Sequence, residues 1–265
     1  GPMSRGLGDV YKRQITNGAV FEDVGQWKRP WYFPINKDET MDEAVQRESK
    51  NVRENAGVLD GSTLGKIEIK GKDALAFMNL IYTNSFSKMK PGTSRYALML
   101  GEDGMVKDDG IICKISDEHF IATTTTGGAA TVLGCMEEYA QTEWPNLNVY
   151  MNSITEQYAT FNISGPKTRN IIEKVFPEVN FSNEAFPFMT FQFHKYVDTP
   201  IRILRASFTG EMGYEIYVPS NQAVKIWEKI ISFGKEFGLM PYGTETMHLL
   251  RAEKGYIIVG QDTDG

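Results

Sequence analysis

The chain has 265 residues, of which 41% are hydrophobic and 23% charged, a balance that is typical of a globular protein and excludes a disordered one. Its net charge of −6 argues against nucleic acid as a main partner, and no apolar run reaches the roughly 18 residues that a membrane helix needs. With two cysteines and no secretory signal, it is expected in a reducing cytoplasm, without a disulfide framework.

The two ends of the chain differ from the rest. Residues 1–14 are predicted to be a tag remnant or another non-native leader, because they begin Gly-Pro-Met and then show no clear apolar periodicity. The domain is therefore predicted to span residues 15–265. Aromatic residues and prolines crowd residues 20–34, which indicates an extended segment packed on a surface. The chain closes on a polar turn, so it is expected to belong to something longer.

Between these ends, hydrophobic periodicity predicts both helices and strands. Helices are predicted at residues 40–55, 72–82, about 127–141, 167–176, 221–238 and 244–254. Single strands are predicted at 96–100, 109–115, 120–124, 158–163 and 191–197, and strand pairs within 58–69 and 201–218. Because strands and helices do not alternate regularly, the pattern favours an α+β fold with antiparallel sheets.

Residues 205–218 are interpreted as a strand, a turn and a second strand. Gly210 and Gly213 bracket two residues, which is the spacing of a tight β connection where φ must be positive. The alternation of a strand then puts Glu215 on the face opposite Tyr214 and Ile216. Glu215 is either an exposed residue of an ordinary hairpin or a pocket carboxylate that accepts two parallel hydrogen bonds from a flat heterocycle.

Three further groups of polar residues leave alternatives open. Asp108 and Asp109 are neighbours at the start of a strand, so one of them enters a pocket or both belong to a solvated turn. The threonine run at 123–126 precedes two glycines and is either a helix cap or an anion site. Arg251 pairs either with a ligand carboxylate or with an acid of the fold. The spacing of histidine and cysteine indicates no metal site.

Several longer motifs act together: WKRP at 27–30, LDGSTLGKI at 59–67, YTN at 82–84, RY at 95–96, DDG at 108–110, TTTT at 123–126, SFTGE at 207–211, PYGTE at 241–245, MH at 247–248, LRAEKG at 250–255 and GQDTDG at 260–265. They resemble the folate-binding aminomethyltransferase family, which includes the T-protein of glycine cleavage. Within that family they are most similar to the C-terminal half of sarcosine oxidase alpha subunits. The resemblance covers nearly everything from residue 20 to the end.

The resemblance implies interleaved antiparallel-sheet subdomains around a hole that takes tetrahydrofolate, with the family's final β domain missing. It places Asp109 near the reactive folate nitrogens, as a catalytic residue that accepts a proton or stabilises a cationic intermediate, and Glu215 against the pterin. Phe208 stands where the family commonly has a tyrosine, so only a stacking role remains. The other cofactor-binding positions that it implies are Tyr96, Arg251 and Thr125.

The implied reaction is capture of a formaldehyde or iminium unit, from an oxidised methylamine such as sarcosine, to give 5,10-methylenetetrahydrofolate. Flavin is expected on a partner oxidase subunit and not in this fragment. One alternative is a non-catalytic folate-binding or assembly module of a larger sarcosine oxidase-type complex. Another is a structural α+β domain whose carboxylates are only surface groups.

Overall fold

A computed structural model describes residues 10–263 of the chain. The helices are α1 Val10–Thr16, α2 Met41–Glu54, α3 Ala74–Ile81, α4 Ala129–Thr142, α5 Thr168–Val175, α6 Ala223–Gly234 and α7 Thr244–Glu253. The strands are β1 Val20–Val24, β2 Trp27–Tyr32, β3 Ala56–Asp60, β4 Gly65–Lys70, β5 Thr93–Leu100, β6 Val106–Ser116, β7 His119–Thr124, β8 Tyr150–Ser153, β9 Tyr158–Ser164, β10 Phe191–Tyr196, β11 Thr199–Leu204, β12 Gly213–Pro219 and β13 Leu239–Pro241.

These elements form two compact units whose segments interleave along the chain. The first unit comprises the described residues up to Thr63 together with Gln157–Phe188 and Gln192–Tyr256. The second comprises Leu64–Glu156, Met189–Phe191 and the described residues from Ile257 onward. The chain therefore passes from one unit to the other several times, as expected for interleaved subdomains.

The first unit is built on a six-stranded sheet in the order β10-β11-β12-β9-β3-β13. Neighbouring strands from β11 to β3 pair antiparallel, and β13 adds to the β3 edge in parallel. One face of this sheet is apolar and packs on α5 and α6, with Phe161, Ile216 and Trp227 at its centre. Because side chains alternate along a strand, the residues between these apolar positions form the opposite face. That face carries Glu215.

A buried carboxylate joins three elements of the first unit. Glu48 on α2 is 1% exposed and accepts hydrogen bonds from the backbone N–H groups of Phe33, at 2.7 Å, and Gly243, at 2.9 Å, and from the hydroxyl of Thr246, at 2.6 Å. A capping box between Thr40 and the third residue of the helix starts α2. The polar bonds of α2 therefore position the chain after β2 and the start of α7.

The second unit is a five-stranded antiparallel sheet in the order β5-β6-β7-β4-β8. Helices α3 and α4 contribute Phe77 and Met136 to a core that includes Phe120 from the sheet. On β6, Gly110 approaches β7 so closely that a Cβ atom there would lie 1.8 Å from the carbonyl oxygen of Thr123. Only glycine fits at this close approach of the paired strands β6 and β7.

The last five residues of the predicted leader belong to a helix of the first unit. Residues 1–9 lie outside the described residues, but residues 10–14 belong to α1 and to the fold. Val10 is buried in the core of the first unit, and the side chain of Gln14 donates to Asp60 at 2.8 Å. The helix has only seven residues, too few for a clear apolar period to be visible in the sequence.

The tight turn predicted between Gly210 and Gly213 is wrong. Strand β11 ends at Leu204 and β12 begins at Gly213, so the connection has eight residues, 205–212. Arg53 draws this segment towards α7 by donating to the carbonyl oxygen of Thr209, at 2.6 Å, and to that of Leu250, at 3.0 Å. Gly210 does adopt a positive φ of 81°, but within this longer loop.

Other differences concern short elements. Strands β8 and β13 have four and three residues, and the sequence analysis predicted neither of them. The segment predicted as one helix over 221–238 is α6 flanked by two short 3-10 turns. The aromatic segment predicted as extended is the hairpin β1–β2. Such short pieces depend on tertiary pairing more than on local propensity.

Candidate functional site

In the second unit, Asp109 on β6 forms a hydrogen-bonded pair with Tyr96 on the neighbouring strand β5. The hydroxyl of Tyr96 donates to Oδ2 of Asp109 at 2.7 Å, and the tyrosine side chain is 44% exposed. Burial raises the pKa of the Asp109 carboxyl, while the bond from Tyr96 acts in the opposite direction. Burial, supported by Asp109, also raises the pKa of Tyr96, so its hydroxyl keeps its proton. The result is a half-buried carboxylate that is suited to accept a proton.

The adjacent Asp108 faces the other way and is only 2% exposed. Its Oδ2 accepts the backbone N–H of Thr125 at 3.2 Å, and burial raises the pKa of the carboxyl to about 6. The hydroxyl of Thr125 accepts the N–H of Gly128 at 3.0 Å, just before α4. Within residues 10–263, Oδ1 of Asp108 has no hydrogen-bond partner. Thr123 and Thr124 therefore end β7, and Thr125 and Thr126 lie in the following segment, which Asp108 orders just before α4.

In the first unit, Glu215 lies on the polar face of the sheet, between β11 and β9. Asn162 donates to Oε1 at 3.2 Å, and the hydroxyl of Tyr217 donates to Oε2 at 2.5 Å. Tyr214 and Ile216, on either side of Glu215, are buried in the core, which confirms the predicted alternation. A carboxylate has about four acceptor positions, and Asn162 and Tyr217 each donate to one oxygen of Glu215.

Phe208 and Arg251, also in the first unit, meet at Tyr256. The rings of Phe208 and Tyr256 are stacked, with an interplanar angle of 15° and centroids 6.3 Å apart. Nη1 of Arg251 donates to the backbone carbonyl oxygen of Tyr256 at 2.9 Å. The guanidinium of Arg251 thus holds the chain after α7 in place beside the aromatic pair.

The sequence analysis did not single out Arg202, which lies on the same polar face as Glu215. Its guanidinium lies 4.0 Å from the ring centroid of Tyr217, and the residue is 5% exposed. Its Nε and Nη1 have no hydrogen-bond partner in the part of the chain that the structure describes. A signal was present in the sequence, since Arg202 stands between Ile201 and Ile203 and alternation assigns it to the polar face.

Other kinds of site find less support. Among the described residues, no group of histidine, cysteine or acidic side chains is placed to hold a metal ion. Cys113 and Cys135 are buried and are not joined in a disulfide. No helix in the described range is long and apolar enough to cross a membrane. An open depression of about 400 Å³ in the second unit is lined by Gly101, Asp103 and Lys107 among others, and by none of the predicted site residues.

Comparison with known proteins gives one family. The model of the GCVT N-terminal domain matches residues 10–265. The chain is 54% identical to sarcosine oxidase subunit alpha of Corynebacterium sp. (strain U-96) over 95% of its length, and 44% identical to that of Rhizobium meliloti over 91%. It covers 26% and 24% of these two relatives, so it spans about a quarter of their length.

An aminomethyltransferase of Thermoanaerobacter pseudethanolicus is 32% identical over 97% of the chain, which covers 65% of that relative. Among solved structures, the glycine cleavage system aminomethyltransferase T from Bartonella henselae superposes with a TM-score of 0.81 at 24% identity, covering 96% of this chain and 64% of that one. A chain of the heterotetrameric sarcosine oxidase from Corynebacterium sp. U-96 gives a TM-score of 0.51 at 10% identity, covering 73% and 92%. These superpositions establish the fold.

Proposed function

The chain belongs to the GCVT N-terminal domain family, and from this premise we propose that it is a tetrahydrofolate-binding module for one-carbon transfer. Its chemistry is that of an aminomethyltransferase, the name carried by one of its relatives. The carbon comes from an oxidised methylamine, with sarcosine as the first candidate because other relatives are named sarcosine oxidase subunit alpha.

The observation that carries the proposal is the pair formed by Asp109 and Tyr96. A half-buried carboxylate with a raised pKa is a better proton acceptor near neutral pH than an ordinary aspartate. The tyrosine hydroxyl, 2.7 Å away, orients the carboxylate through Oδ2 and leaves Oδ1 as the atom assigned to receive the proton. Asp109 is thus the catalytic residue of the proposal.

The binding roles fall to residues whose surroundings suit a reduced folate. Glu215 is held by bonds from Asn162 and Tyr217, and a carboxylate is the group that suits the adjacent N–H donors of a pterin. Phe208 provides an aromatic surface, stiffened by its stacking on Tyr256. Thr125 and Arg251 complete the assigned set, and each is held in place by its own hydrogen bonds.

When bound, tetrahydrofolate supplies two amine nitrogens that take up the carbon of formaldehyde with loss of one water, giving 5,10-methylenetetrahydrofolate without an oxidant. Asp109 receives a proton at its carboxylate as the amine attacks. Until it takes that proton, the negative charge of Asp109 would stabilise the positive charge that develops on the nearby amine. The oxidation that produces formaldehyde or an iminium lies outside this module, and we assign it to flavin-containing partner subunits in the cytoplasm.

Calorimetry of the chain with reduced tetrahydrofolate tests binding, and product formation from formaldehyde above the uncatalysed rate tests transfer. Asp109→Asn should lower transfer by about 100-fold or more and change the dissociation constant by less than about threefold. Asp103→Asn, the same change in an exposed turn of the second unit, is the matched control. Glu215→Ala should weaken folate binding in the first unit's site.

Each outcome separates the candidates. Absence of folate binding by the unaltered chain contradicts every folate function and leaves a structural domain. Folate binding without any catalysed transfer supports the non-catalytic binding or assembly module. Transfer that survives Asp109→Asn removes the catalytic assignment. Unchanged affinity after Glu215→Ala removes the pterin assignment.

A further inference from the structure

We propose that Arg202 is a specificity-determining residue of the folate site, which donates a hydrogen bond to the 4-oxo group of the pterin and so selects 4-oxo over 4-amino pterins. The inference rests on the proposed folate function. It concerns a residue to which neither the sequence motifs nor the family assignment gives a role.

The first step is the unusual state of the Arg202 side chain. Arginine is always charged, and a charge that is withdrawn from water needs a partner. Arg202 is 5% exposed, yet Nε and Nη1 lack hydrogen-bond partners in the described structure. The guanidinium lies over the ring face of Tyr217, with its carbon 4.0 Å from the ring centroid. A ring face attracts the positive charge but does not replace hydrogen-bond acceptors in the plane of the guanidinium.

The second step is the position of Arg202 relative to Glu215. Arg202 pairs with Tyr217 across β11 and β12, and Tyr217 is two residues beyond Glu215 on the same strand. All three side chains therefore share one face of the sheet, with Arg202 directly opposite Tyr217 and Glu215 one step of about 7 Å further along β12. The contacts are continuous, since Tyr217 receives the guanidinium on its ring and donates its hydroxyl to Glu215.

The third step is the order of donors and acceptors on a pterin. Its amide edge presents the 2-amino group, the N3–H and then the 4-oxo group, which makes two donors followed by one acceptor. A carboxylate matches the two donors, and the acceptor needs a donor beside that carboxylate. The hydroxyl of Tyr217 and the amide of Asn162 already donate to Glu215. Arg202 is the neighbouring side chain that keeps unused donors.

The fourth step is charge. A pterin with a 4-oxo group is neutral and polar along this edge, so it completes the Glu215 and Arg202 pair without adding charge. A 4-amino pterin instead presents N–H donors to the guanidinium, which has no acceptor, so both sets of donors stay unsatisfied. A site of this kind rejects the analogue because its own buried polar atoms remain unpaired.

The experiment compares binding of tetrahydrofolate and its 4-amino analogue by calorimetry to the unaltered chain, to Arg202→Met and to the control Arg205→Met. Arg205 is close to Arg202 in sequence and donates to the carbonyl oxygen of Phe186 at 2.7 Å. The Arg205→Met variant therefore makes the same arginine-to-methionine change at a position outside the proposed contact. We expect the unaltered chain and the control to favour tetrahydrofolate by about 10- to 100-fold, and Arg202→Met to reduce this ratio to within about threefold of unity.

The results separate this inference from the function on which it rests. If the chain binds tetrahydrofolate through Glu215 but Arg202→Met keeps the full ratio, ordered water satisfies Arg202 and the inference is wrong while the folate function stands. If none of the three proteins binds tetrahydrofolate, the inference and the folate function are both wrong. Should Arg202→Met fail to fold, the ratio in the unaltered chain still decides, because equal affinity for the two ligands contradicts the inference.

Discussion

Replacement of Asp108 by asparagine should change how the stability of the second unit depends on pH. Burial raises the pKa of this carboxyl from an ordinary 3.8 to about 6 in the folded chain. Since the folded state binds the proton more tightly than the unfolded state, protonation of Asp108 stabilises the fold. This contribution is complete below pH 3.8 and is lost as the pH rises through 6.

The size of the effect follows from the two pKa values. A folded-state pKa of about 6 in place of 3.8 corresponds to about 3 kcal/mol of unfolding free energy in all, of which about 2 kcal/mol is lost between pH 4 and pH 7. Asparagine does not titrate, so the variant lacks this loss. The unfolding free energy of Asp108→Asn minus that of the unaltered chain should therefore rise by about 2 kcal/mol over this range.

The assay is urea unfolding at several pH values from 4 to 7.5, followed by hydrogen exchange of peptides from β6 and β7. Glu48, another carboxyl with a raised pKa, is present in both proteins and cancels in the difference. Asp198→Asn, an exposed change of equal charge, should give a difference that is flat with pH. A flat or falling difference for Asp108→Asn refutes the reasoning, because it means that burial does not disfavour the charged form.

Two further changes probe the same sheet. Tyr96→Phe removes the hydroxyl that lowers the pKa of Asp109, so the pKa of Asp109 should rise further when it is followed by carbon NMR of the carboxyl group. An unchanged or lower pKa contradicts the assigned bond. Gly110→Ala should destabilise the second unit by about 3 kcal/mol or more in urea, because the new methyl group meets a backbone oxygen of β7. Gly134→Ala, on α4 with open space around it, should instead stabilise by about 0.5–1 kcal/mol, and equal effects of the two alanines would contradict the packing argument.

The local sequence pattern was sufficient to predict an element where that element is long or strongly periodic. Helix α2 was predicted over residues 40–55 and spans Met41–Glu54, because its apolar spacing and its capping residues agree. The alternation around Glu215 likewise predicted its face correctly. Short elements such as β8 and β13 were missed because three or four residues carry little periodicity of their own.

Prediction also failed where a distant side chain decides the path of the backbone. Residues 205–212 contain the glycines of a tight turn, yet Arg53 from α2 draws them into a longer loop. Nothing in the local sequence of this loop reveals a partner that is about 150 residues away. The same holds for Gln14, which joins the supposed leader to Asp60 on β3.

The sequence by itself determined the family, the α+β class and the acids that are candidates for chemistry, since motifs and alternation are properties of neighbouring residues. Only the tertiary structure decided what surrounds each acid. It separated Asp109, paired with an exposed tyrosine, from its neighbour Asp108, enclosed at the start of α4. It also brought Arg202 onto the face of Glu215 through strands β11 and β12. Burial and hydrogen bonding depend on contacts between distant segments, and these set the pKa and the binding capacity of a side chain.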